Sequence, residues 1–169
     1  MTKTEKTTIA PARGPDEVAE VRRLFVEYAE SLNFDLCFQG FDQEIDSLAA
    51  IYVPPRGEML LARVGNLVAG GVAVRSLEVD VCEMKRLYVR PRFRGLKLGR
   101  QLAEAIVAVA RGAGYTAMRL DTIETMTQAR TLYESMGFVP IPPYYHNPVP
   151  GVVYYELDLT ADDRRRVAG

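Results

Sequence analysis

The chain has 169 residues, a length that favours one domain and allows roughly two-thirds of the unfolded surface to be buried. Hydrophobic residues make up 48% and charged residues 25%, values that exclude a disordered, collagen-like or low-complexity chain. With 21 Lys and Arg against 22 Asp and Glu the net charge is −1, so the chain as a whole is no polyanion binder and any anion site must be local.

The polar start, residues 1–6, is followed by no apolar stretch, and no run of about 18 apolar residues occurs anywhere. The sequence therefore predicts no signal peptide, no membrane span and a cytoplasmic chain. A short extended segment over residues 7–10 leads to Gly14-Pro15-Asp16-Glu17, a helix start with proline in the first turn and acids at the positive helix end. Val18, Val21, Leu24, Phe25, Tyr28 and Leu32 then share one helical face, which predicts a helix over residues 15–32. A loop over residues 33–40 precedes a shorter helix around residues 42–51, closed by Pro54 and Pro55. Residues 58–64 and 67–77 are β-rich runs joined by Gly65-Asn66, a pair suited to a hairpin turn, and residues 79–89 continue the meander.

From Leu98 the period changes. Leu98, Leu102, Ala105, Ile106 and Val109 form one face of a helix ended by Gly112 and Gly114. Residues 116–122 alternate as a strand, and Ala129, Leu132, Tyr133 and Met136 mark another helix stopped by Gly137. A proline-rich turn over residues 140–150, a last strand over residues 152–159 and a charged tail from residue 162, expected to fray, complete the chain. This order describes a mixed α/β sheet covered by helices in a single domain, residues 1–169. Cys37 and Cys82 lie in apolar surroundings without metal-ligand spacing, so both are expected to be buried structural thiols, and no metal site is predicted.

Chemistry concentrates between Lys85 and Arg111. Eight basic residues (Lys85, Arg86, Arg90, Arg92, Arg94, Lys97, Arg100, Arg111) face one acid, Glu104, so the local charge is 8 − 1 = +7 in a chain of net −1. The cluster runs from a strand end through Pro91-Arg92-Phe93-Arg94-Gly95-Leu96-Lys97-Leu98-Gly99 into the helix, where free backbone N–H groups and the helix dipole favour phosphate. The loop is neither a Walker loop nor a Gly-x-Gly-x-x-Gly fingerprint. A solvated charged face and a nucleic-acid module are the competing readings, the latter short of stacking residues, with only Tyr88 and Phe93.

The run Glu83-Met84-Lys85-Arg86-Leu87-Tyr88-Val89-Arg90-Pro91-Arg92-Phe93-Arg94-Gly95-Leu96-Lys97-Leu98-Gly99-Arg100-Gln101-Leu102 resembles the acetyl-CoA-binding motif of the GNAT superfamily of N-acetyltransferases. Ala129-Arg130-Thr131-Leu132-Tyr133-Glu134-Ser135-Met136-Gly137-Phe138 is similar to the family's later helix and the turn after it. The resemblance implies a mostly antiparallel twisted sheet of about six or seven strands flanked by about four helices. It also implies an acyl-CoA-dependent N-acetyltransferase that passes an acetyl group directly from acetyl-CoA to a primary amine of a small molecule or protein, with a homodimer among the family's assemblies. A non-catalytic CoA-binding sensor is the alternative. Two departures stand out: Lys97 replaces the first motif glycine, its ammonium either touching phosphate or pointing to solvent, and Met126 stands where the family often has an Asn.

On this resemblance Leu87, Tyr88 and Val89 would pair with the pantetheine arm, while Arg94, Gly95, Leu96, Lys97, Leu98, Gly99 and Arg100 would cradle the pyrophosphate. Tyr133 would protonate the departing thiolate, unless it is core. Glu83 would take the amine proton, its pKa raised by burial, unless it is a surface residue that merely pairs with Lys85 on the same strand face. Acceptor recognition is expected from two aromatic-rich variable segments, through Phe34, Asp35, Phe38, Gln39, Tyr144 and Tyr145. His146, the single histidine, reads as a turn residue.

Overall fold

The computed structural model of the protein describes residues 4–32, 34–36 and 40–161. Asn33, Cys37, Phe38 and Gln39 and the tail from Asp162 lie outside the described residues. In chain order the elements are β1 (Thr7–Pro11), α1 (Gly14–Ser31), α2 (Phe41–Asp46), α3 (Leu48–Ile51), β2 (Glu58–Val64), β3 (Leu67–Ser76), β4 (Val81–Val89), a 3-10 turn (Pro91–Phe93), α4 (Leu98–Gly112), β5 (Ala117–Ile123), α5 (Thr127–Ser135), β6 (Val139–Ile141) and β7 (Val152–Asp158). The strands form one sheet in the order β1-β2-β3-β4-β5-β7-β6, antiparallel throughout except for the β4/β5 pair.

Both faces of the central strands are buried, which is why β2 and β3 read as nearly continuous apolar runs. Leu60, Ala62, Val72 and Val74 meet Leu102 and Ile106 of α4, together with Met118, Tyr155 and Leu157. The alternate residues Met59, Leu61 and Ala73 meet Val21, Leu24 and Phe25 of α1, with Ile45 and Leu48 of the short helices beside them. Period 2 in the strands and period 3.6 in the helices therefore build two cores around one sheet. Among the described residues no helix is long and apolar enough to cross a membrane.

Two boundaries differ from the sequence expectation. The helix over residues 42–51 is broken at Ser47, which leaves helical geometry (φ −131°, ψ 25°) to end α2 and open α3, a position serine favours over helix interiors. The expected turn from Pro140 instead begins with strand β6. Pro140 is tolerated there because β6 is a sheet edge, as Pro11 is in β1 at the opposite edge.

Candidate active site

The site begins as an interruption in the sheet. Gly71 pairs with Tyr88 and Ala73 with Lys85, so Arg86 and Leu87 together stand opposite Val72 alone, a bulge in β4. Arg86 takes φ 60° there. Across the bulge a Cβ added to Gly70 would come within 2.5 Å of the Tyr88 carbonyl oxygen, so only glycine admits this approach. The parallel pairing of β4 with β5 holds only from Val81 to Glu83. Beyond it the strands part, and Met84 to Leu87 and Leu120 to Thr122 wall a cavity of about 70 Å³ closed by Tyr28 and Tyr133.

That cavity shares Tyr28, Leu87, Met126 and Ala129 with a groove of about 650 Å³ on its outer side. Leu87, Tyr88, Val89, Arg94, Gly95, Lys97, Leu98, Gly99 and Arg100 line the groove, as expected, facing Thr125 to Ala129 at the start of α5. Leu96 departs from expectation: it is 49% exposed and off the groove, because the chain turns at Gly95 (φ 93°) and Lys97 (φ 60°) and throws Leu96 outward. The first N–H groups of α4 have no intrahelical partner, and a Cβ on Gly99 would meet only Leu132 Cδ2, at 4.0 Å. This open helix start, flanked by Arg94 and Lys97, fits a diphosphate.

The basic run is less uniform than its charge suggests. Arg90 forms a fork on Glu27 of α1 (2.8 and 3.0 Å), Arg86 one on Glu44 of α2 (3.1 and 3.2 Å), and Lys85 lies 3.8 Å from Glu83. Arg100 bonds Glu104 and Ser135. Arg86 and Arg90 are thus neutralised by acids distant in sequence, and among the described residues Arg94 and Lys97 on the groove have no ion pair. Arg86 and Arg90 are thereby withdrawn from the continuous basic face a nucleic-acid module needs.

Glu83 departs most from expectation. It is 2% exposed and lines neither the groove nor the cavity. Tyr144 donates its hydroxyl to Oε2 at 2.7 Å, and Arg75 binds Oε1 at 2.9 and 3.0 Å. Burial alone would raise its pKa, yet Lys85, Tyr144 and Arg75 outweigh burial and hold it below the ordinary carboxylate range. A carboxylate so held is a poor proton acceptor, and the expected pairing with Lys85 is present. Lys85 is itself held below the usual lysine range, chiefly by burial, with Glu83 pulling the other way. Because the folded pKa of Glu83 is depressed, its stabilisation exists above the unfolded value of about 4.3 and fades as pH falls through the lower folded value. Glu83→Gln should cost about 3 to 5 kcal/mol at neutral pH. Its deficit in melting temperature should shrink as melts move from about pH 6 to about pH 2; a constant deficit would show that this carboxyl is not the titrating group.

Asp121 on β5, one residue past Leu120, is the carboxylate that does line the 70 Å³ cavity, and with Arg86 it also lines a neighbouring one of about 40 Å³. Tyr145 donates its hydroxyl to Asp121 Oδ2, and Asn147 Nδ2 lies 3.3 Å from the same oxygen. Tyr144 and Tyr145 therefore line none of these cavities but clamp the two carboxylates, stacking with Tyr154 at 5.3–5.6 Å. Of the other acceptor candidates, Phe34 lines the 40 Å³ cavity, Asp35 is exposed and lines none, and Phe38 and Gln39 lie outside the described residues. His146 is exposed, in the segment between β6 and β7.

Tyr133 on α5 is buried on the cavity wall, its ring packed edge-on to Phe138 at 5.6 Å. Its hydroxyl makes no protein hydrogen bond among the described residues and is not sealed from solvent, and burial raises its pKa. Cys82 is buried, bonds the Ala117 carbonyl at 3.6 Å and has its thiol pushed up to about 12 by burial. Sequence reasoning passed over Tyr28 and Asp121. Tyr28 sits in the apolar stripe of α1 like any core residue; the only signal for Asp121 is an acid inside a strand, between Leu120 and Thr122.

A family model described as acetyltransferase (GNAT) family matches residues 19–138. An uncharacterised N-acetyltransferase of Schizosaccharomyces pombe is 42% identical over 162 residues, covering 95% of this chain and 99% of that protein. An acetyltransferase from Streptococcus agalactiae superposes with a TM-score of 0.75 at 21% identity, over 90% of this chain and 98% of that one. YncA of Salmonella typhimurium, solved with its cofactor acetyl-CoA, superposes with a TM-score of 0.67 at 17% identity, over 93% of this chain and 96% of that one.

Proposed function

Since the chain belongs to the acetyltransferase (GNAT) family, whose acyl donor is acetyl-CoA, we propose that it acetylates an amine by direct transfer, donor and acceptor being bound together. The observation that carries this reading is that the 650 Å³ groove, open at the N-terminus of α4, adjoins the 70 Å³ cavity walled by Tyr133 and Asp121, with Tyr28, Leu87, Met126 and Ala129 on the walls of both. Bound acetyl-CoA supplies an activated thioester. Gly95, Lys97 and Gly99 and the first amides of α4 hold its pyrophosphate, and the backbone of Leu87 to Val89 aligns its pantetheine arm.

The amine nitrogen attacks the carbonyl carbon as the C–N bond forms. Asp121 takes the proton that leaves the nitrogen, a role moved here from Glu83 because Asp121 reaches the cavity and Glu83 does not. As the C–S bond breaks, Tyr133 gives its hydroxyl proton to the sulfur; its raised pKa keeps that proton in place at neutral pH. Cys82 lines none of these cavities and its thiol is protonated, which supports direct transfer over an acyl-cysteine.

Thiol release from acetyl-CoA is the direct assay. Amine-dependent release above hydrolysis is expected; tight acetyl-CoA binding with no release across primary amines would favour the non-catalytic sensor. Lys97 offers a finer test. As a non-glycine residue in the left-handed region on the groove wall it carries backbone strain of about 1 to 2 kcal/mol. Lys97→Gly should raise the melting temperature, yet weaken acetyl-CoA at low salt by the loss of a phosphate contact, the difference narrowing at high salt. Equal affinity at both salt concentrations would place the ammonium in solvent.

A further inference from the structure

Two ionic groups at the inner end of the site bear on the acceptor. Arg86 is one of only two non-glycine residues with positive φ among the described residues, and backbone strain of this kind concentrates where function requires a particular side-chain direction. The bulge that imposes it leaves the guanidinium buried, with Nε and Nη2 forked on Glu44 and the Phe41 ring 5.3 Å away. Nη1 makes no hydrogen bond among the described residues, and it is not one of the solvent-excluded atoms. Arg86 lines both the 70 and the 40 Å³ cavities, so the two N–H donors of Nη1 are available to an anion there.

Asp121 repeats the pattern with opposite sign. Oδ2 is held by Tyr145 and Asn147, whereas Oδ1 accepts no hydrogen bond among the described residues, and this side chain too lines both cavities. The rest of the smaller cavity is largely apolar, with Leu32, Phe34, Leu36, Ile123 and Val152 on its walls. One cationic donor, one anionic acceptor and an apolar wall within a single recess match the three substituents of an α-amino acid. A plain alkylamine would leave Arg86 Nη1 without a partner when bound, a cost that favours ligands carrying a carboxylate.

We infer that the acceptor is a free α-amino acid with a small apolar side chain. Its carboxylate sits on Arg86, its amino group on Asp121, and its side chain against Phe34, Leu36 and Val152. The inference rests on the acetyl-transfer reading and narrows its acceptor class. It excludes a lysine side chain and the N-terminus of a protein, neither of which carries a carboxylate on the carbon bearing the reacting amine.

The test uses matched sets on the intact protein with acetyl-CoA: alanine, leucine and methionine, their α-amides, and the amines left when the carboxyl group is removed. The amides have less basic amino groups and offer more neutral nucleophile at a given pH, so preference for the acids cannot come from amine reactivity. The acids should exceed both the amides and the amines in kcat/KM by at least tenfold. Arg86→Lys, which keeps a positive charge beside Glu44 but loses the second face of the fork, should reduce that acid-to-amide ratio by at least tenfold, mainly through KM. Should that variant fail to fold, the wild-type comparison alone decides. Amides or amines acetylated as well as the acids overturn the inference and leave acetyl transfer standing. Calorimetry showing that no acid binds the acetyl-CoA complex, with no acid turned over, overturns it too; failure to bind acetyl-CoA in the same experiment would overturn the transfer reading as well.

Discussion

Tyr133→Phe should lower kcat by about 100- to 10,000-fold, the span general acid catalysis commonly supplies, while leaving the fold and acetyl-CoA affinity almost unchanged. The ring keeps its edge-on packing with Phe138 at 5.6 Å and its tilted contact with Tyr155 at 6.4 Å. The deleted hydroxyl has no hydrogen-bond partner among the described residues, so no protein group is left unsatisfied. The loss should therefore fall on kcat and kcat/KM together, the signature of an interaction made only in the transition state. Thermal melts and steady-state rates with a reactive amine check it. A variant turning over at the wild-type rate would return Tyr133 to the core it shares with Met136 and Phe138.

Gly99→Asp should weaken acetyl-CoA by at least about tenfold, or about 1.4 kcal/mol, without weakening the protein. The new Cβ has room, its nearest neighbour being Leu132 Cδ2 at 4.0 Å, and a carboxylate in the first turn of α4 suits the helix dipole, so the melting temperature should hold or rise. The same carboxylate would occupy the mouth of the diphosphate site and repel it. Opposite movements of stability and affinity separate a blocked phosphate site from a damaged fold. Unchanged calorimetric affinity would remove the start of α4 from the cofactor site.

Much of this protein is legible in its sequence because its information is local. Hydrophobic period marks α1, β2, β3, α4 and β7 to within a residue or two, and Gly65-Asn66 marks the hairpin between β2 and β3. The stretch from Arg94 to Arg100 suggests a phosphate-binding helix start, since the groups that would bind there are the backbone amides of consecutive residues. Tyr133, spaced along α5 with Ala129, shows the right position; whether its hydroxyl meets a cavity or a neighbour is outside what spacing can tell.

What tertiary structure decided is charge and partnership, because both depend on residues far apart in the chain. Glu44 lies 42 positions from Arg86 and Glu27 lies 63 from Arg90, so two charges of a run that sums to +7 along the chain are neutralised in the fold. Tyr144 lies 61 positions from Glu83, and its bond, with those of Arg75 and Lys85, turns an expected proton acceptor into a fixed structural carboxylate. Asp121 takes its place only because β4 and β5 part beyond Glu83, a consequence of strand geometry that neither strand records alone. Sequence by itself thus determined which segments fold and which helix start opens onto the groove. The pairing of distant charges, set by packing, decided which carboxylate lines the cavity.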